Sequence, residues 1–146
     1  LDRFGLSVEV RTPTDLETRV DVIKARDAFD RNPEAFLARA EDAEGDIRRQ
    51  IISAKEKLET IATPDAAIER AAELCLAMGT DGLRGELTLI RAGRAYACLQ
   101  GDDAVGDAHL RAVAPSALRH RLRRDPLDDA GSTVRVERGI AEVFGA

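Results

Sequence analysis

The chain has no tryptophan, one tyrosine and four phenylalanines in 146 residues. A core without large aromatic rings must be assembled from Leu, Ile, Val and Ala. That favours helices, since Ala, Leu, Glu and Arg are good helix formers and the residues that strands prefer are sparse beyond the first ten positions. Cysteine is nearly absent too: Cys75 and Cys98 have 22 residues between them, lie on apolar helical faces and have no histidine cluster nearby. This spacing is not a metal-ligand pattern, and both are expected to be buried, reduced packing residues. No run of about 18 apolar residues occurs, and no basic stretch followed by a hydrophobic one opens the chain, so neither a membrane span nor a signal peptide is indicated. The expected compartment is the cytoplasm. A glycine-rich phosphate loop, a nucleophile paired with a base, and a metal-binding run are all missing.

What remains is a globular composition, 44% hydrophobic and 34% charged, at the size of one ordinary domain. The net charge of −5 despite many arginines gives no global electrostatic case for nucleic acid or an anionic membrane surface.

Leu6-Ser7-Val8-Glu9-Val10 alternates apolar and polar with period two, the pattern of a strand. A single strand needs a sheet, and no other segment supplies a partner. After Pro13 the pattern turns helical. Thr14 and Glu17 stand in capping-box spacing, Leu16, Val20 and Ile23 share a face, and Asn32-Pro33-Glu34 restarts the helix. Phe36, Ala40, Ala43, Ile47, Ile51, Ala54, Leu58 and Ile61 then recur at spacings of three and four, interrupted only by Gly45, as an extended amphipathic arm of one or two helices.

Thr63-Pro64 predicts an N-cap and first-turn proline for a helix that runs to about Met78 and ends at Gly79. Asp81 is expected to cap the next helix, from Gly82 to Leu99, which closes at Gly101. A further helix is expected over about Ala104 to Leu122 with a kink at Pro115, then a polar loop over Arg123 to Thr133 and a last helix near Val134 to Phe144.

Three places carry charge in a suggestive pattern. Arg84, Thr88 and Arg91 form a polar stripe, at spacings of four and three, on an otherwise apolar helix. That stripe admits two readings: salt bridges to neighbouring helices, or a phosphate contact suited to guanidinium geometry. Asp2-Arg3-Phe4, just before the strand pattern, reads either as a surface ion pair or as an arginine reaching toward a neighbouring subunit. The run from Arg119 to Arg124 is basic, but it has no interleaved aromatic residue and Asp125, Asp128 and Asp129 follow it. It reads as a solvated or intersubunit helix end. His109 and His120 stand eleven residues apart, roughly 16 Å along a helix, too far to share a metal ion. They are expected at the surface or in packing.

Leu1-Asp2-Arg3-Phe4-Gly5-Leu6, Thr80-Asp81-Gly82-Leu83-Arg84-Gly85-Glu86-Leu87, His120-Arg121-Leu122-Arg123-Arg124-Asp125-Pro126-Leu127 and Asp129-Ala130-Gly131-Ser132-Thr133 together resemble, in order, the C-terminal portion of the ATPase subunit family of magnesium chelatase. The resemblance implies an AAA+ ATPase ring that drives Mg²⁺ insertion into protoporphyrin IX on the way to chlorophyll or bacteriochlorophyll. It implies that Arg3 is the arginine finger acting on a neighbour's ATP, with Asp2 beside it at the interface, and that Arg84 is the sensor-2 arginine of the lid. Both would contact ATP phosphates. ATP and Mg²⁺ would belong to the assembled protein, because the phosphate loop, Walker B and sensor-1 residues of the family have no counterpart in these residues.

The implied architecture is mainly α. Residues 1–13 would end the α/β core with a leftover strand, 14–62 form a helical arm, and 63–146 form the lid. Implied partners are other copies of itself in a ring, as a hexamer, with an AAA+ platform subunit and a large porphyrin-binding subunit; no nucleic acid is expected. In a phototrophic eukaryote the compartment would be the plastid stroma. Two alternatives stay open: the platform subunit of the same or a cobalt chelatase, and a non-catalytic lid that binds protein or nucleic acid through Arg119 to Arg124.

Overall fold

The Leu, Ile, Val and Ala pattern folds as helix. The computed structural model describes residues 3–80, 82–122 and 132–145. Over these it contains α1 (Leu16–Arg31), α2 (Pro33–Lys57), α3 (Asp65–Ala77), α4 (Arg84–Gln100), α5 (Asp107–Leu118) and α6 (Ser132–Phe144), with a short 3-10 turn at Arg119–Arg121. The segment Leu6–Val10, expected as a strand, forms no strand here. Among the described residues no second segment offers it a ladder, and a lone strand leaves its backbone groups without partners. Asp2, the cap expected at Asp81, and residues 123–131 of the loop expected over Arg123 to Thr133 lie outside the described residues.

By packing, the chain divides into two units, one of Leu1–Val8 with Ser53–Ala146 and one of Glu9–Ile52, so that the division falls within α2. In the unit of Glu9–Ile52, order is local. Asp15, not Thr14, caps α1: its carboxylate accepts from the Thr18 backbone N–H at 2.7 Å. Hydrogen bonds from the Thr18 side chain and then from its backbone N–H hold the Asp15 carboxyl below the ordinary carboxylate value. Asn32 serves both helices, donating its backbone N–H to Ala28 O at 3.2 Å to close α1 and accepting from Ala35 N at 3.0 Å to open α2. Ion pairs Arg26–Asp30 and Arg31–Asp27 lie one helical turn apart. Phe29 and Phe36 meet edge to face at 5.7 Å across Asn32. Helix α1 buries no residue. Gly45 does not break α2, which runs through it.

The other unit is a helical bundle. Helix α4 packs against α5 and α3, and α6 closes on α3 and α5. Leu74, Leu89, Leu110, Leu118 and Val136 are wholly buried, each contributing about 2–3 kcal/mol of transfer free energy. On α4 the inward face repeats every fourth residue as Gly85, Leu89, Gly93 and Ala97. A Cβ on Gly93 would meet Leu110 Cδ2 at 3.0 Å and Val105 Cγ1 at 3.4 Å, so glycine sets how closely α4 and α5 approach.

Helix ends fall near their predicted signals. Gly79 and Gly101 take positive φ of 63° and 86°. Thr80 N–H and Asp102 N–H reach back to Cys75 O and Ala97 O at 3.1 and 3.0 Å, closing α3 and α4 in the six-to-one pattern. Pro64 sits one residue earlier than expected, at the cap of α3 rather than in its first turn. His109 ties the α4–α5 turn together: Nδ1 accepts from Gly106 N at 3.0 Å, so the proton on Nε2 goes to Asp102 at 2.8 Å. Helix α5 is shorter than predicted. It passes through Pro115 but ends at Leu118, where the backbone tightens into the 3-10 turn.

Candidate functional site

The small-residue face of α4 points into the bundle, and the stripe opposite it is therefore presented outward. Arg84 is the first residue of α4. It lines an open cavity of about 460 Å³ together with Leu87, Thr88 and Arg91 from the same helix, and with Arg3, Gly5 and Arg121. The two arginines singled out separately in the sequence, Arg3 and Arg84, thus meet at one site.

How Arg3 comes to be there follows from the end of α5. The last carbonyls of a helix have no partner within it. Ser116 O accepts from Ser7 N at 2.8 Å, and Ala117 O accepts from Arg121 Nε at 3.0 Å. The same guanidinium reaches Phe4 O through Nη2 at 2.7 Å, and His120 Nε2 donates to that carbonyl at 2.9 Å. A cation at a helix C-terminus also matches the helix dipole. The side chains of Phe4, Leu6 and Val8 stay exposed. The segment that bears Arg3 is accordingly fastened through its backbone, not through apolar burial.

Among the described lining residues the charge is of one sign. Four guanidinium groups line the cavity, and among the described lining residues there is no carboxylate. In a chain of net charge −5, such local concentration of positive charge focuses the field toward an anion. Planar guanidinium forks suit phosphate oxygens. The same donors do not suit a cation, and among the described residues no group of three or more His, Cys, Asp or Glu stands where it could hold a metal ion. Behind α4, burial and then the charge of Glu86 push the Cys75 thiol up to about 11. Cys75 therefore packs and is no nucleophile near neutral pH. Both cysteines are free and buried, as the sequence predicts.

Residues 68–140 match the AAA lid domain family. The chain belongs to that family. Along its length the lid chain is 55% identical over 144 residues to the magnesium-chelatase 38 kDa subunit of Acidiphilium rubrum, covering 99% of this chain and 42% of that protein. It is 57% identical over 144 residues to the 38 kDa subunit of Rhodobacter capsulatus, covering 99% and 41%. Among solved structures, it is similar to a chain of the complex between the BchI and BchD subunits of magnesium chelatase, at 50% identity over 96% of this chain and 41% of that one, with a TM-score of 0.41. The lid chain spans about two fifths of the length of these curated relatives.

Three residues at or beside the cavity carry no functional role in the sequence reading. Arg91 reads as a salt-bridge partner, and His120 and Arg121 read as part of a solvated or intersubunit helix end. The signal for Arg91 is its place on the Arg84 stripe. For His120 and Arg121 there is none in spacing, because their partner, Phe4, is more than a hundred residues away. Among the described residues no helix is long and apolar enough to cross a membrane.

Proposed function

We propose that this chain is the lid of a magnesium-chelatase ATPase subunit, and that its Arg3 and Arg84 act together on the nucleotide bound by a neighbouring subunit. The observation that carries this reading is that both arginines line one cavity on one chain, with no carboxylate among the described lining residues. The similarity to magnesium-chelatase 38 kDa subunits over 99% of the chain supports it.

ATP with Mg²⁺ supplies the transferable phosphoryl group when bound, and the cavity's guanidinium donors fit its phosphates, whereas no described residue group fits its metal. The chain's own part is electrostatic. Arg3, the finger, places positive charge where negative charge grows on the transferring group; Arg84, the sensor, grips the phosphates from the first turn of α4. Neither needs a base or nucleophile beside it, and the charged residues among the described lining are Arg3, Arg84, Arg91 and Arg121. Because the charge arrives from another subunit, hydrolysis proceeds only at an assembled interface. In this reading the lid works in a ring, as a hexamer, alongside an AAA+ platform subunit and a large porphyrin-binding subunit. It couples ATP hydrolysis to insertion of Mg²⁺ into protoporphyrin IX. Asp2 would stand beside the finger at the interface.

The test is ATPase activity of the complete subunit with Arg3→Ala or Arg84→Ala mixed in rising proportion into wild type. Each variant should still bind ATP through its own phosphate loop and yet depress mixed rings more than in proportion to its share. Activity that falls only in proportion would contradict action across the interface.

A further inference from the structure

The cavity explains where Arg3 and Arg84 lie but not why Arg3 should stay there. Arg3 is exposed, on a segment with no helix or strand, and the apolar side chains that follow it are exposed as well. A freely moving segment would spread a finger over many positions, and a misplacement of about 1 Å is enough to cost on the order of a hundredfold in rate. What fixes the segment is a short polar clasp. His120 Nε2 and Arg121 Nη2 both donate to Phe4 O, at 2.9 and 2.7 Å. Ser7 N–H donates to Ser116 O at 2.8 Å, three residues further along. Arg121 is in turn set by its bond to Ala117 O at 3.0 Å, and Leu118, next in the chain, is wholly buried in the bundle core. The clasp therefore runs from the core of the lid to the residue adjoining Arg3.

We infer that His120, with Arg121, is a positioning residue for Arg3: it fastens the finger segment to the end of α5, so that finger and sensor arginines shift as one body with the lid. This rests on the function proposed above. The physical consequence is that the two cationic groups keep their spacing when the lid moves, and reach or leave a phosphate together. Arg121 also lines the cavity, so its loss would mix positioning with direct contact. His120 is not among the lining residues and separates the two.

The experiment is steady-state ATPase of rings of the complete subunit carrying Arg3→Ala, His120→Ala, His120→Gln, Ser7→Pro, or Arg3→Ala with His120→Ala. A glutamine amide can still donate to Phe4 O, whereas Ser7→Pro removes the second tether from an exposed segment without touching the lid core. His120→Ala and Ser7→Pro should each lower kcat roughly tenfold or more, with KM for ATP within about twofold. His120→Gln should restore most of the loss. The double variant should be no slower than Arg3→Ala alone, because a clasp with no finger has nothing left to position. If Arg3→Ala leaves kcat unchanged, the finger reading itself fails and this inference falls with it. If Arg3→Ala is slow but His120→Ala and Ser7→Pro keep wild-type kcat, or if the losses of Arg3→Ala and His120→Ala multiply, the finger stands and the positioning role is overturned. Should His120→Ala not fold, Ser7→Pro and His120→Gln decide on the same criteria.

Discussion

Helices α1 and α4 are almost the same length, 16 and 17 residues, and are stabilised in opposite ways. Helix α4 buries Gly85, Leu89, Gly93, Ala97 and Cys98. Helix α1 buries nothing and depends on the Asp15 cap, the Asn32 turn and ion pairs one turn apart. Isolated helices of this length are marginal in water, and tertiary packing usually supplies most of their stability. The difference bears on the proposed function: a side chain that is to meet a phosphate to within about 0.5 Å needs a scaffold whose own backbone is fixed by packing, and α4 is such a scaffold.

The contrast can be broken most forcefully in the core. Leu110→Ala, which empties the space facing Gly93, should destabilise the lid by about 3 kcal/mol. Leu16→Ala, at the exposed start of α1, should change stability by less than about 0.5 kcal/mol. Denaturant unfolding of both variants measures the pair. Comparable losses would mean that α1 is packed as α4 is, against the account.

A smaller effect sharpens the other side. Asp15 is held below the ordinary carboxylate value by hydrogen bonds from the Thr18 side chain and from the Thr18 N–H. Its contribution is therefore fully present above that ordinary value and is lost as pH falls through the lower, folded value. As pH falls below the ordinary carboxylate value the first turn of α1 should lose amide-exchange protection, and Asp15→Asn, which keeps an acceptor but cannot titrate there, should remove that pH dependence. The same sign holds for Asp103, whose carboxyl is lowered by its hydrogen bond and charge pairing with Lys57. Protection that rises on acidification would contradict the cap.

Much of this was legible in the residues themselves. Period-three and period-four spacing marks the helices, Gly79 and Gly101 mark two of their ends, and the Arg84-Thr88-Arg91 stripe marks the outward face of α4. Local chemistry decides these features, so local sequence reports them. The period-two pattern of Leu6–Val10 misleads because alternation specifies a strand only where a second strand is available. Burial is also hidden: Ile23 and Ile47 repeat as regularly as Leu89, yet both are exposed while Leu89 is wholly buried. Periodicity states which face is apolar, not whether anything covers it. The meeting of Arg3 with Arg84, and the clasp of His120 and Arg121 on Phe4, join distant parts of the chain through backbone carbonyls, which every residue possesses and no side-chain pattern reveals.

The central claim is that Arg3 and Arg84 of one chain serve one and the same nucleotide. The most direct measurement mixes rings of complete subunits carrying Arg3→Ala with rings carrying Arg84→Ala and reads ATPase activity after exchange. If both arginines come from the same chain to a neighbour's site, every interface in a mixed ring lacks one of them, and activity should stay at the level of the single variants. If instead Arg84 serves its own subunit's nucleotide while Arg3 crosses the interface, about a quarter of the interfaces in an equal mixture would regain both groups, and recovery of activity to that extent would contradict the account.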